Sequence, residues 1–158
     1  MHKLQPADMS ELKGILNRLR KIDVFTSSEV ECAVELLQIV LDQPEQRDYQ
    51  VLVTSNDDRP VGYILYGPIP LTDGNFDIYW IATDPKIHGK GFGRELIESA
   101  EFDMQQQGAR MICLETSSKE AYLKTRNFYE KSGYRKESVI ADFYNPGDDR
   151  ITYIKRFS

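Results

Sequence analysis

The sequence predicts an α+β (mixed α/β) fold: a mostly antiparallel central sheet of six to seven strands, about four helices and one parallel crossover. Three observations carry this reading. Two amphipathic helical stretches come early. Three strand-like runs joined by short turns follow them. A strand, a glycine-rich turn, a helix and another strand then occupy the centre of the chain.

In order along the chain, Leu4-Gln5-Pro6 ends a short first strand. Asp8 is expected as an N-cap with Glu11 completing a capping box, ahead of Met9, Leu12, Leu16 and Leu19 at helical spacing. Thr26-Ser27-Ser28 offers the next N-cap, and Val30, Ala33, Val34, Leu37, Val40 and Leu41 mark the apolar face of a second helix that Pro44 ends. Strands follow at 49–53, at 61–66 (stopped by Gly67-Pro68) and at 76–83, with turns at 56–60 and 72–75; such short connections make an antiparallel meander. After Pro85 comes the glycine turn, then a helix on Leu96, Ile97, Ala100 and Met104 with Gly108 as its C′ residue. The run from Arg110 to Thr116 is a strand, and Ser117 with Glu120 predicts a capping box for a helix ending at Ser132-Gly133. Two last strands, at about 134–142 and 150–157, flank a turn over 145–149. The whole, residues 1–158, reads as a single domain.

The chain has 158 residues and a net charge of −5. An acidic balance argues against broad nucleic-acid or anionic-membrane binding, which need a basic footprint, and would suit a cationic substrate. With no apolar leader-like run or membrane-length stretch, a cytoplasmic location is expected. Cys32 and Cys113 form no CxxC pattern and are expected to be buried free thiols. The only histidines are His2 and His88, so Ser-His-Asp catalysis has no free histidine, and no His/Cys cluster has zinc spacing; no metal is expected.

The strongest local signal is His88-Gly89-Lys90-Gly91-Phe92-Gly93, followed by Arg94. A helix N-terminus presents unpaired N–H groups and partial positive charge, and alternating glycines let the backbone approach phosphate oxygens closely. The G-x-G-x-G spacing differs from the dinucleotide fingerprint, and the turn follows the fourth strand, which disfavours a doubly wound nucleotide fold.

This turn, preceded by Tyr79-Trp80-Ile81-Ala82-Thr83-Asp84-Pro85, resembles motif A of the GNAT family of N-acetyltransferases. Asn127-Phe128-Tyr129-Glu130-Lys131-Ser132-Gly133-Tyr134 resembles the family's motif B. The resemblance implies acetyl-CoA as cosubstrate and a splay between the fourth and fifth strands that admits its pantetheine arm. It implies that backbone around Ile81, Ala82 and Thr83 pairs with that arm. The amides of His88, Gly89, Lys90, Gly91, Phe92, Gly93 and Arg94 would hold the pyrophosphate, and Phe128 and Tyr129 would lie near the thioester. His88 stands where the family has Gln or Arg, and also reads as an exposed loop residue. Tyr122 stands where the family often has a cofactor-contacting Asn.

Amide formation needs a neutral amine, so a proton acceptor helps at neutral pH. Strand alternation puts Met111, Cys113 and Glu115 on one face, and Glu115 at the strand's end reads as either the base or an exposed charge. The surrounding Leu-Glu-Thr run and the Asp142-Phe143-Tyr144-Asn145-Pro146 tail are similar to bacterial ribosomal-protein alanine N-acetyltransferases, in which this glutamate acts as base. Motif B makes Tyr129 the expected acid for the departing thiol; the alternative is a core aromatic. Two readings stand: an N-acetyltransferase acting by direct attack on a small amine or a protein N-terminus or lysine, or a non-catalytic acyl-CoA-binding module. The acceptor is expected against the first two helices, their joining loop and the final hairpin, on a monomer or homodimer.

Overall fold

The computed structural model describes residues 1–87 and 89–157. Among them, the strands are β1 (His2–Lys3), β2 (Gln50–Asn56), β3 (Arg59–Pro68), β4 (Asn75–Thr83), β5 (Met111–Ser117), β6 (Arg135–Asn145) and β7 (Asp148–Arg156). The α-helices are α1 (Met9–Lys21), α2 (Ser27–Asp42), α3 (Phe92–Gln106) and α4 (Leu123–Lys131). The strands form one sheet in the order β1-β2-β3-β4-β5-β7-β6. All neighbours are antiparallel except β4 and β5, which the α3 crossover makes parallel.

Strand alternation divides the core into two layers. Tyr63 and Leu65 of β3 face Leu12, Ile15, Leu16, Ala33 and Leu37 of α1 and α2, whereas Ile64 and Tyr66 face Leu96, Ile97, Ala100 and Met104 of α3. β3 is therefore buried on both faces, and it carries the apolar run a central strand needs. β6 is the opposite case, an edge strand exposed along its whole length.

The N-cap expected within Thr26-Ser27-Ser28 falls on Thr26 and is a full capping box: Thr26 Oγ1 accepts from Glu29 N at 3.1 Å, and Glu29 Oε1 accepts from Thr26 N at 3.1 Å. Gly108 closes α3 at φ 92°, its N–H donating to Gln105 O and that of Ala109 to Met104 O, a Schellman pair. Two other expected caps are not formed. A 3-10 turn over Pro6–Asp8 precedes α1, and the Asp8 carboxylate turns back to accept from Gln5 N at 2.8 Å. Glu11 instead faces Arg59. Ser117 belongs to β5 and hydrogen-bonds Asp148 Oδ1; a 3-10 turn over Glu120–Tyr122 leads into α4.

The hairpins are tighter than sequence spacing indicated. Asp57 and Asp58 both take positive φ (52° and 64°), making a two-residue turn that leaves Pro60 inside β3. Gly67-Pro68 continues β3 opposite Asp77 and Phe76 instead of stopping it. Pro146-Gly147 alone joins β6 to β7. Just before it, β6 bulges: between the pairs Ile140↔Arg150 and Asn145↔Asp148 it has four residues against one, so Phe143 and Tyr144 are pushed out of the ladder. Both cysteines are more open than expected. Cys32 is exposed, because it lies on the α2 face beside a cleft, and Cys113 is half-buried on the strand face opposite Ile112 and Leu114.

Thr26 fixes Glu29 as well as capping α2. Thr26→Ala is expected to lower stability by about 1 kcal/mol in urea denaturation, with the slope unchanged.

Candidate active site

The site begins where a ladder stops. β4 and β5 pair from Asn75↔Met111 to Ile78↔Leu114 and no further. The opposite edge of β4 stays bonded to β3 as far as Thr83↔Gly62, with a register shift that leaves Tyr79 as an extra residue between Ile78 and Trp80. Such a bulge bends its strand and leaves the extra residue unpaired. The free halves of β4 and β5 diverge around a cleft of about 680 Å³. Its floor includes Asp77 through Thr83 of β4 and Glu115 to Ser117 of β5. One wall comes from Leu19 of α1, the joining loop at Val24, Phe25 and Thr26, and Glu29 and Cys32 of α2. The other comprises Lys119, Tyr122, Thr125 and Tyr129 with Tyr144, Asn145 and Asp148 of the last hairpin. These are the segments expected to meet an acceptor.

The predicted site residues fall into two groups. Ile81, Ala82 and Thr83 line the cleft and hold β3 by one edge only, so their other edge is open to an extended ligand. Tyr129 and Glu115 line the same cleft. Gly89, Lys90, Gly91, Phe92, Gly93 and Arg94 form the turn and first helical residues beyond Thr83. His88 lies outside the described residues. Phe128 does not line the cleft: it lies one helical position from Tyr129, and its ring would stand 3.4 Å from a Cβ on Gly93, so it packs against the start of α3.

The turn fits a pyrophosphate on its own geometry. Gly89 and Gly91 hold φ of 71° and 78°, and a Cβ built on either meets nothing within 4 Å. The space beside them is open, and the backbone form favours glycine. Gly91 is the N-cap of α3 with no side-chain cap, so the first amides of the helix lack an internal acceptor, as anion binding requires. Arg94 is committed along the helix to Glu98 at 2.8 Å.

Two titratable groups stand out in the cleft. Tyr129 is buried among Phe128, Tyr134 and Tyr153, with ring centroids 5.7, 6.2 and 6.2 Å away. Burial pushes its phenol well above the ordinary tyrosine value, so it keeps its proton at neutral pH. Sequence reasoning missed the second, Asp77. It sits opposite Cys113 in the last paired stretch of β4 and β5. Desolvation by burial, reinforced by the Glu115 charge and opposed by Arg150, pushes its carboxyl up to about 6. A lone acid within Phe76-Asp77-Ile78-Tyr79-Trp80-Ile81 was the available signal, since a carboxylate in an apolar strand is costly without a use. Glu115 itself is engaged: its carboxylate is hydrogen-bonded by the Arg150 guanidinium, which also lies 5.0 Å from the Phe143 ring. Cys113 is held as the neutral thiol by burial and by the charges of Asp77 and Glu115, so it is a poor nucleophile. Tyr122 spans the cleft, its hydroxyl donating to Glu29 Oε2 at 2.7 Å.

Residues 47–136 match the acetyltransferase (GNAT) domain family. The chain belongs to the GNAT family. Its structure is similar to that of a GNAT-family acetyltransferase from Desulfovibrio desulfuricans, at 33% identity and a TM-score of 0.90 over 98% of this chain and 96% of that one. An uncharacterized N-acetyltransferase of Methanocaldococcus jannaschii is 30% identical over 66% of this chain, and the match spans 64% of that protein's length. The same fold is found in the ribosomal-protein-alanine N-acetyltransferase of Brucella melitensis, at 16% identity and a TM-score of 0.76 over 99% and 98% of the two chains. The GNAT domain here is thus of the acetyl-CoA-dependent N-acetyltransferase type. No group of three or more His, Cys, Asp or Glu residues is placed to hold a metal ion among the described residues. Among the described residues, no helix is long and apolar enough to cross a membrane.

A side chain at Gly91 would strain a left-handed backbone and crowd the open space beside it. Gly91→Val is expected to weaken acetyl-CoA binding by about tenfold or more in titration calorimetry while leaving the fold intact by circular dichroism.

Proposed function

We propose that this chain transfers the acetyl group of acetyl-CoA directly to a primary amine held beside it in the cleft, with Asp77 accepting the proton and Tyr129 donating one. The observation that carries the reading is the pairing of a carboxyl raised to about 6 with a buried, protonated phenol along one cleft at the splay. Two groups with pKa values pushed apart in this way suit acid and base roles at neutral pH.

The donor supplies an activated thioester. The free edge of β4 at Ile81 to Thr83 would hold its pantetheine arm, and the amides from Gly89 to Arg94 its phosphates. An N–H near the Tyr79 bulge is available to the developing oxyanion, because the bulge takes that residue out of the ladder. Asp77 takes the amine's proton directly or through one water. Glu115, expected as either the base or an exposed charge, is read here as a charge that adds to burial in raising the carboxyl of Asp77, against the pull of Arg150. Tyr129 delivers its proton to the departing sulfur and regains one from the nitrogen of the collapsing intermediate, so the cationic amine's two protons end on Asp77 and on the thiol. Direct attack needs no enzyme nucleophile, in keeping with the neutral state of Cys113.

The acceptor is read as a primary amine that arrives as a cation. Lys119 and Arg150 are each paired, with Asp148 and Glu115, which leaves Glu29 and Asp77 as surplus negative charge in the cleft. The rings of Phe25, Trp80, Tyr79 and Tyr144 around them offer faces to a cation. Thiol release from acetyl-CoA, measured across polyamines, aminoglycosides, amino acids and peptides, tests this. Release that depends on a cationic amine is expected; tight binding of acetyl-CoA with no amine-dependent release would replace catalysis by a binding role.

Because a base works deprotonated, kcat/KM should rise as pH climbs through about 6 and level off above it. Asp77→Asn should abolish that limb and cut turnover by about 10²-fold or more in the same stopped assay. Tyr129→Phe should cut kcat by one or more orders of magnitude with acetyl-CoA affinity unchanged; an unchanged kcat removes Tyr129 as the acid.

A further inference from the structure

A second ionic contact ties the molecule together away from the cleft floor. Arg18 of α1 reaches across 66 residues of chain to Asp84, just after β4, with Nε donating to Oδ1 at 3.1 Å and Nη2 to Oδ2 at 2.9 Å. This is a planar two-bond fork, which lysine cannot reproduce. Asp84 is 7% exposed, so its carboxylate is shielded from water, while the Arg18 side chain stays 27% exposed.

Asp84 is also a node of the backbone. Its N–H donates to Val61 O at 2.7 Å, tying it to β3. Its Oδ1 accepts from Lys86 N at 3.0 Å and its carbonyl from Ile87 N at 3.0 Å, which fixes the chain leading to the glycine turn.

An independent feature of α1 serves the same contact. Gly14 lies inside the helix, where glycine costs about 1 kcal/mol relative to alanine. A Cβ there would stand 3.3 Å from Arg18 Nη1. The guanidinium therefore lies over the position where a side chain at residue 14 would be. The following residue, Leu19, lines the cleft, and its carbonyl accepts from Val24 and Phe25, whose ring packs edge-on against Trp80 at 5.2 Å. One helix thus carries part of the acceptor wall and the clamp on the donor turn.

We propose that Arg18 is a positioning residue for the donor. Its fork on Asp84 fixes the backbone of residues 84–87 and so aims the amides of the glycine turn at the pyrophosphate. The proposal rests on reading that turn as the phosphate site. Arg18 itself does not line the cleft, so its effect should be confined to ligands that carry the pyrophosphate.

The test compares affinity for coenzyme A with affinity for pantetheine, which lacks the pyrophosphate, by calorimetry on the full chain. Arg18→Met should weaken coenzyme A by about tenfold or more and leave pantetheine unchanged, and Arg18→Lys should show a smaller loss of the same kind. Equal losses for both ligands, or full coenzyme A affinity in a cooperatively melting Arg18→Met protein, would overturn it. Should Arg18→Met not fold, Arg18→Lys decides the same comparison. If the unaltered protein fails to prefer coenzyme A to pantetheine, the phosphate reading of the turn falls instead, and the role of Arg18 with it.

Discussion

The end of the β4–β5 ladder at Ile78 and Leu114 is the constraint from which the rest of the site follows. Parallel strands joined by a crossover helix ordinarily pair along their length. Here Tyr79 is one residue too many against β3, and the bulge turns β4 away from β5. The consequence is a stretch of backbone that sits in the middle of a sheet with one edge unsatisfied. Burying such an edge without a partner would be costly, and a cleft with room for an extended ligand resolves that cost. The helix that follows the same strand presents its uncapped N-terminus, so the open strand edge and the free helix amides that the proposed donor site needs are consecutive parts of the chain.

Electrostatics are organised around the same opening. Asp77 lies one register before the ladder ends, near Glu115 on the neighbouring strand, and Arg150 of β7 binds Glu115 and opposes the rise at Asp77. Burial first, and the Glu115 charge after it, set this carboxyl into the range where it can exchange a proton near neutrality. Tyr129 approaches from α4 within an aromatic cluster that both positions its ring and raises its pKa. Glu29 does double work on the far wall, capping α2 through Thr26 and receiving the hydroxyl of Tyr122. The acceptor wall is thus tied to the segment that precedes α4.

Much of this was legible in the sequence. The order of helices and strands and the parallel crossover follow from periodicity and turn residues, which are local signals. The glycine turn was readable because left-handed backbone and close approach both demand glycine at fixed spacing. What escaped was non-local. The Tyr79 bulge is a property of the β3–β4 register and has no signature within β4. Asp8 looked like a helix cap and instead closes a turn back onto Gln5, while Ser117 was drawn to Asp148 across the sheet. The chemistry of Asp77 is set by its burial and, after that, by Glu115 and Arg150, distant in sequence, so composition and spacing could mark it only as an acid out of place. The ion pair of Glu115 with Arg150 was hidden for the same reason, since its partner lies 35 residues away.

The central claim is that the open half of β4 and the start of α3 are one continuous binding surface for the donor. Hydrogen exchange of backbone amides with and without coenzyme A tests it most directly. Amides within residues 79–83 and 91–94 should slow on addition of coenzyme A, while those of Phe76 and Ile78, already held between β3 and β5, should not change. Protection confined to the β6–β7 hairpin, or none in either segment at saturating coenzyme A, would contradict it.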